Sequence, residues 1–253
     1  MHMSRRNLIS IGSIGAAGAI AGVGMPALAA TKAKPMAAPS ALPAIPQADG
    51  KTLFTADQAL ARLKEGNRRF VADQPTQPDI SSRRRMELSH GQAPYCAIVC
   101  CSDSRAGPEQ LFGAGLGELF IVRTAGNYVD TAGMGSLEFG VAVLGVPLIV
   151  VLGHESCGAV KAAIGVVKNN DSLPGTLDAM VQPILPAVIK AKSALKDGED
   201  LVAASAYANV SRVVKQLRNV SEPMLMTPQK AGKVKVVGGY YDLDTGAVNF
   251  FDV

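Results

Sequence analysis

Three side chains of the kinds that bind zinc fall in two short segments of this sequence. Cys101 follows one apolar run, and His154 and Cys157 follow another. Two thiolates and one imidazole supply three of the four ligands that zinc takes, which leaves one position open for chemistry. Asp103 and Arg105 come just after the first cysteine. The carboxylate of Asp103 could accept a hydrogen bond from a water in that position, while Arg105 holds the carboxylate ionised and oriented.

Each of these residues, taken alone, is also consistent with a role that involves no metal. A lone cysteine is more often a small core residue than a ligand. In an oxidising compartment Cys101 and Cys157 could form a disulfide, which would make the protein a metal-free dithiol redox protein. Cys96 and Cys100 share a face of one predicted strand, too far apart to bridge, and are predicted to be core residues. The combination favours a metal site, and metal analysis of the purified protein decides between the alternatives.

The composition predicts one domain of the α/β class. The chain has 253 residues, and 48% of them are hydrophobic, which is enough for one sizeable core or two small ones. No internal repeat or second domain is evident in the sequence. The formal net charge of +4 comes without a run of five or more basic residues, which argues against a nucleic-acid partner.

The amino terminus has the pattern of a targeting segment. Residues 4–9 resemble a twin-arginine export signal, an apolar stretch follows, and small residues end at Ala29. We predict a signal peptide over 1–29 and a linker rich in Ala and Pro over 30–51, with the folded domain over 52–253. The protein is then expected in the periplasm or otherwise exported, with no stable membrane insertion after cleavage. The alternative is that the apolar stretch is retained as a membrane anchor.

The hydrophobic pattern predicts apolar strands that alternate with helices, which is typical of a parallel sheet covered on both faces. A helix that begins at Thr55 precedes this core and could act as an arm on a second subunit. Ligand sites in such folds lie beyond the carboxyl ends of the strands, where Cys101 and His154 are expected to meet. The predicted strands are 95–100, 118–123, 147–152, 233–237, 239–243 and 248–251. The further predicted helices are 81–89, 133–144, 159–168, 177–195 and 200–219.

Four segments resemble the β-class carbonic anhydrases. They are residues 101–105, 123–127, 154–158 and 237–242, and the likeness extends over roughly 52–253. The resemblance implies a mainly parallel sheet with an antiparallel edge strand and flanking helices. It also implies a homodimer or a tetramer, with the amino-terminal helix wrapped around the partner.

The resemblance assigns a role to each residue of the two metal segments. Cys101, His154 and Cys157 match the zinc ligands of the family, and Asp103 and Arg105 match its catalytic dyad. In a closed form of the family the carboxylate that Asp103 matches binds the zinc directly. The inhibitory bicarbonate site of some bacterial members needs a Trp, which this chain lacks, so we expect an open site at neutral pH.

The resemblance further implies the reaction and its substrate-binding residues. The family hydrates carbon dioxide reversibly to bicarbonate and a proton, by attack of zinc-bound hydroxide. Gln92 matches an amide that orients the substrate, Phe120 and Ala125 match the walls of an apolar pocket, and Gly158 would offer its backbone N–H. Two alternatives stay open: a hydrolase of carbon disulfide or carbonyl sulfide on the same scaffold, and a non-catalytic zinc-binding protein.

Overall fold

Five strands form one sheet in the spatial order Leu119–Arg123 (β4), Cys96–Cys100 (β3), Leu148–His154 (β5), Lys235–Tyr241 (β6) and Val248–Phe251 (β7). The computed structural model describes residues 47–48 and 50–252. Three strand pairs are parallel, and the edge strand β7 pairs with β6 antiparallel, as predicted. In chain order the strands are β1 (Gln47–Ala48), β2 (Lys51–Thr52), β3 (Cys96–Cys100), β4 (Leu119–Arg123), β5 (Leu148–His154), β6 (Lys235–Tyr241) and β7 (Val248–Phe251).

Helices cover both faces of this sheet, because alternate residues of its strands are apolar on both sides. On β3, Ile98 packs with Leu63 and Leu111 on one face. Its neighbour Val99 packs with Leu137 and the helices of the other face. The helices are α1 (Ala56–Val71), α2 (Ser82–Leu88), α3 (Pro108–Phe112), α4 (Thr131–Ala142), α5 (Gly158–Asn169), α6 (Leu177–Val181), α7 (Leu185–Ala194), α8 (Leu201–Arg218) and α9 (Pro223–Lys230).

Most predicted elements are confirmed, and the differences have local causes. The single helix expected over 177–195 is instead α6, a 3-10 turn (Gln182–Ile184) and α7, because Pro183 and Pro186 interrupt the backbone hydrogen bonds. The two strands expected over 233–237 and 239–243 form one strand, β6, which continues through Gly238 and Gly239. The short helices α3 and α9 were not predicted, and each begins with a proline.

Helix α1 packs on the sheet of its own chain. Thr55 and Gln58 form a capping box at its amino terminus. The Asn67 Nδ2 atom donates to the carbonyl of Gly246 at 2.9 Å, and its Oδ1 accepts from the backbone N–H of Val248 at 2.8 Å. Within the chain, α1 is therefore anchored to the turn before β7, and its contact with a second subunit stays a prediction.

The predicted signal peptide lies outside the described residues, as does most of the predicted linker. At the end of that linker β1 and β2 pair as a short antiparallel hairpin. Within 47–48 and 50–252 we find no helix whose length and apolar character would allow it to cross a membrane.

Candidate metal centre

The three predicted ligands meet at the carboxyl edge of the sheet. Strands β3 and β5 are parallel neighbours, so the chain leaves both at the same edge. Cys101 directly follows β3, His154 ends β5, and Cys157 is the residue before α5. All three are at least 95% buried, and their ligand atoms lie within 4.8 Å of one another.

The arrangement fits a tetrahedral zinc ion. The Cys101 and Cys157 sulfurs are 3.9 Å apart, and two sulfurs about 2.3 Å from one zinc would be separated by about 3.8 Å. His154 donates from Nδ1 to the backbone carbonyl of Glu155 at 2.8 Å. This bond fixes the tautomer that leaves Nε2 as the ligand atom. Nε2 is buried and has no hydrogen-bond partner among the described residues, as expected of an atom that binds a metal.

Hydrogen bonds favour a thiolate at the centre. The pKa of Cys101 is lowered to about 4, chiefly because the Cys157 thiol and the Gly126 N–H donate hydrogen bonds to its sulfur, while burial acts in the opposite direction. The pKa of Cys157 is raised, first because its thiol donates a hydrogen bond to the Cys101 sulfur and then because the site is buried. Burial lowers the pKa of His154, but the Cys101 thiolate and the other acceptors around the ring raise it above its usual value. The negative charge on sulfur makes the cluster attractive to a cation.

Asp103 and Arg105 form a bidentate pair beside this cluster. Arg105 donates from Nε to Oδ1 of Asp103 at 2.9 Å and from Nη2 to Oδ2 at 2.8 Å. This pairing holds the pKa of Asp103 well below its usual range. Oδ2 lies 3.9 Å from Nε2 of His154, so the carboxylate is next to the metal ligands while both its oxygens face the guanidinium.

Arg123, at the end of β4, holds the loop that carries the first ligand and the dyad. It donates from Nε to the carbonyl of Cys101 at 2.8 Å and from Nη2 to the carbonyl of Asp103 at 2.7 Å. Arg123 lies in one of the segments that resemble the family, but no role was predicted for it. The signal available in the sequence was a basic residue at the end of an apolar run, since Arg123 ends the predicted strand 118–123.

The four predicted substrate-binding residues do not all lie at the cluster. Ala125 packs against the buried group that contains Cys101 and Cys157, and Gly158 begins α5 directly after the third ligand. Phe120 instead packs against Phe139 of α4, with ring centroids 6.4 Å apart. Gln92 is exposed and lines a surface depression with Leu88 and Leu116. A single chain therefore brings two of the four to the metal ligands.

The sheet and the cysteine–histidine–cysteine cluster at its carboxyl edge define a metal-binding α/β protein. A profile of the family described as "Carbonic anhydrase" matches residues 96–248, which include all three ligands, Asp103 and Arg105. The chain belongs to the carbonic anhydrase family, and its fold is that of the β class.

Relatives with known names agree with this assignment. Carbonic anhydrase 2 of Mycobacterium tuberculosis is 40% identical over 186 residues, which are 73% of this chain and 87% of the relative. A tetrameric β-carbonic anhydrase of Sordaria macrospora superimposes with a TM-score of 0.60 at 27% identity, over 67% of this chain and 86% of the other. The Coccomyxa β-carbonic anhydrase in complex with acetazolamide gives 0.59 at 28% identity, over 75% and 85%. The predicted family, fold class and enzyme class are confirmed.

Proposed function

We propose that the chain hydrates carbon dioxide reversibly to bicarbonate and a proton at a zinc centre formed by Cys101, His154 and Cys157. The observation that carries the proposal is the convergence of these three ligand atoms beside the Asp103 carboxylate. Family membership supports the reaction. Zinc held by these residues supplies Lewis-acid activation of water near neutral pH.

The residues around the ligands have complementary roles in this proposal. Asp103 accepts a hydrogen bond from the attacking water and so orients its lone pair toward the carbon of the substrate. Arg105 keeps that carboxylate ionised, because it binds both oxygens. Ala125 offers an apolar wall suited to carbon dioxide, and the N–H of Gly158 at the start of α5 is suited to the negative charge that develops on the product. For Gln92 and Phe120, substrate binding stays a prediction.

The experiment combines metal analysis with stopped-flow carbon dioxide hydration on the same preparation. We expect close to one zinc per chain, loss of hydration when a chelator removes the metal, and recovery when zinc is restored. Protein that is metal-free as isolated yet active, or that holds a reducible bond between Cys101 and Cys157, would contradict the proposal. The same zinc-loaded samples, assayed with carbon disulfide and carbonyl sulfide, test the hydrolase alternative.

We also propose export to the periplasm, on the twin-arginine pattern at Arg5 and Arg6. Residues 1–51 fused to a reporter enzyme should direct it out of the cytoplasm. Replacing both arginines by lysine should keep the reporter inside the cell. Equal export of the two fusions would contradict the proposal.

A homodimer or tetramer is proposed for the assembly. The description of the Sordaria macrospora relatives as tetrameric supports it. Light scattering on the zinc-loaded protein gives the mass directly, and a monomer at micromolar concentration would be the contrary result.

A further inference from the structure

The sulfur of Cys101 receives a backbone hydrogen bond from a turn that follows β4. The N–H of Gly126 donates to Cys101 Sγ across 3.3 Å. A hydrogen bond to a ligand sulfur withdraws electron density from it and so tunes the metal it binds. The direction of this N–H therefore affects how much electron density the Cys101 sulfur can give to a metal.

Gly126 lies in a turn that one backbone hydrogen bond closes. The N–H of Asn127 donates to the carbonyl of Thr124 at 3.0 Å, and Gly126 has φ of +86° at the third position, where a type II turn requires glycine. A Cβ on Gly126 would come within 2.4 Å of the Ile184 side chain, so the turn is also packed closely from outside. The peptide that joins Gly126 to Asn127 is thus held through its N–H, and its carbonyl accepts a hydrogen bond from a group outside the turn.

Asn209 on α8 is that group. Its Nδ2 donates to the carbonyl of Gly126 at 2.8 Å, and the side chain is fully buried. Its Oδ1 is buried and has no hydrogen-bond partner among the described residues, so the amide makes its one hydrogen bond to this turn. A leucine of similar size would fill the space without burying an unpaired polar atom, hence packing alone does not explain an amide here.

We propose that Asn209 is a positioning residue of the metal centre. Its bond to the carbonyl holds the peptide that follows Gly126, and through the φ and ψ of that residue it restricts the direction of the Gly126 N–H toward the Cys101 sulfur. The hydrogen bond so maintained lowers the electron density that this sulfur gives to the metal. The inference rests on the proposed zinc centre and extends it from the residues around the metal to a helix on one face of the sheet.

The test uses cobalt in place of zinc in the full-length protein, because the thiolate-to-cobalt charge-transfer band reports the electron density on sulfur. In Asn209→Leu this band should move to longer wavelength, since a sulfur with a weakened hydrogen bond is easier to oxidise. Cobalt should still bind in a 1:1 ratio. Asn209→Ala provides a second variant with no added bulk, and it should shift the band in the same direction.

Ser205→Ala is the matched control. Ser205 lies one turn earlier on α8, is equally buried, and has no hydrogen-bond partner among the described residues. It should leave the band in place even if thermal stability changes. A band that stays in place in both Asn209 variants, or that moves equally in Ser205→Ala, would overturn the inference while leaving the metal centre intact. A wild-type protein that binds no cobalt would overturn the metal centre and this inference together.

Discussion

The Nη2 atom of Arg123 donates a 2.7 Å hydrogen bond to the backbone carbonyl of Asp103. The Nε atom of the same guanidinium binds the carbonyl of Cys101 at 2.8 Å. One planar side chain at the end of β4 therefore fixes the backbone of a metal ligand and of the neighbouring acid. The position of the Asp103 backbone beside the candidate ligands therefore depends on a residue of an adjacent strand.

We predict that Arg123→Lys keeps its zinc but hydrates carbon dioxide about 10- to 100-fold more slowly. A lysine ammonium is a single point of charge and lacks the planar fork that holds two carbonyls at once. The loop between β3 and α3 would keep its sequence and charge while Asp103 loses its fixed position. Turnover per bound zinc, measured by stopped flow alongside metal content, checks this.

Arg218→Lys is the control for that variant. Arg218 also binds a backbone carbonyl, that of Val236 on β6, through Nε at 3.1 Å. The control should lose stability without losing turnover per zinc. If Arg123 acts through Asp103, then adding Arg123→Lys to Asp103→Ala should cost little further activity. Independent, multiplicative losses would refute the link between the two residues.

Cys157→Ser should lose most of its zinc and most of its activity. A serine hydroxyl stays protonated at neutral pH and is a poor zinc ligand, whereas thiolates bind zinc well. Zinc content after gel filtration and the hydration rate are the two measurements. Cys100→Ala is the control, since Cys100 is the last residue of β3. Its side chain is buried, and burial raises the pKa of its thiol to about 12. The control should retain zinc, and retention of zinc by Cys157→Ser as well would remove Cys157 from the site.

Asp103→Ala should retain zinc and lower turnover by about 10- to 100-fold, because the attacking water loses its hydrogen-bond acceptor. Glu109→Ala removes an exposed acid six residues later and should behave as wild type. Zinc stoichiometry and stopped-flow rates on all three proteins give the comparison. Turnover of Asp103→Ala equal to wild type would show that its carboxylate takes no part in the reaction.

The ligands could be predicted from the sequence because the information is local. Apolar runs mark β3 and β5, parallel neighbours leave a sheet at the same edge, and the ligands stand directly after those runs. The strand ends therefore predict that Cys101 and His154 lie at one edge of the sheet, whereas the assignment of all three residues as ligands also rested on the family resemblance. The spacing of Asp103 and Arg105 likewise permits their pairing within one short loop.

Contacts between distant segments could not be predicted in this way. The bonds from Arg123 to Asp103 and from Asn209 to Gly126 depend on the order of strands and on the rotation of α8 above the sheet. Side-chain direction is decisive as well. Within the chain Phe120 on β4 packs against Phe139 of α4, a contact that the sequence pattern did not specify, and its place in the apolar pocket stays a prediction. Neither the strand order nor these directions can be read from hydrophobic periodicity.

The close approach of α1 and α3 gives a prediction about stability rather than catalysis. A Cβ on Gly66 would stand 2.0 Å from the carbonyl oxygen of Phe112, whereas a Cβ on the exposed Gly135 of α4 would meet nothing within 4 Å. Gly66→Ala should lower the free energy of unfolding by roughly 1–3 kcal/mol, because the two helices must separate. Gly135→Ala should raise it by about 0.5–1 kcal/mol through helix propensity. Denaturant unfolding at fixed protein and zinc concentrations measures both, and equal effects would refute the close packing of α1 on α3.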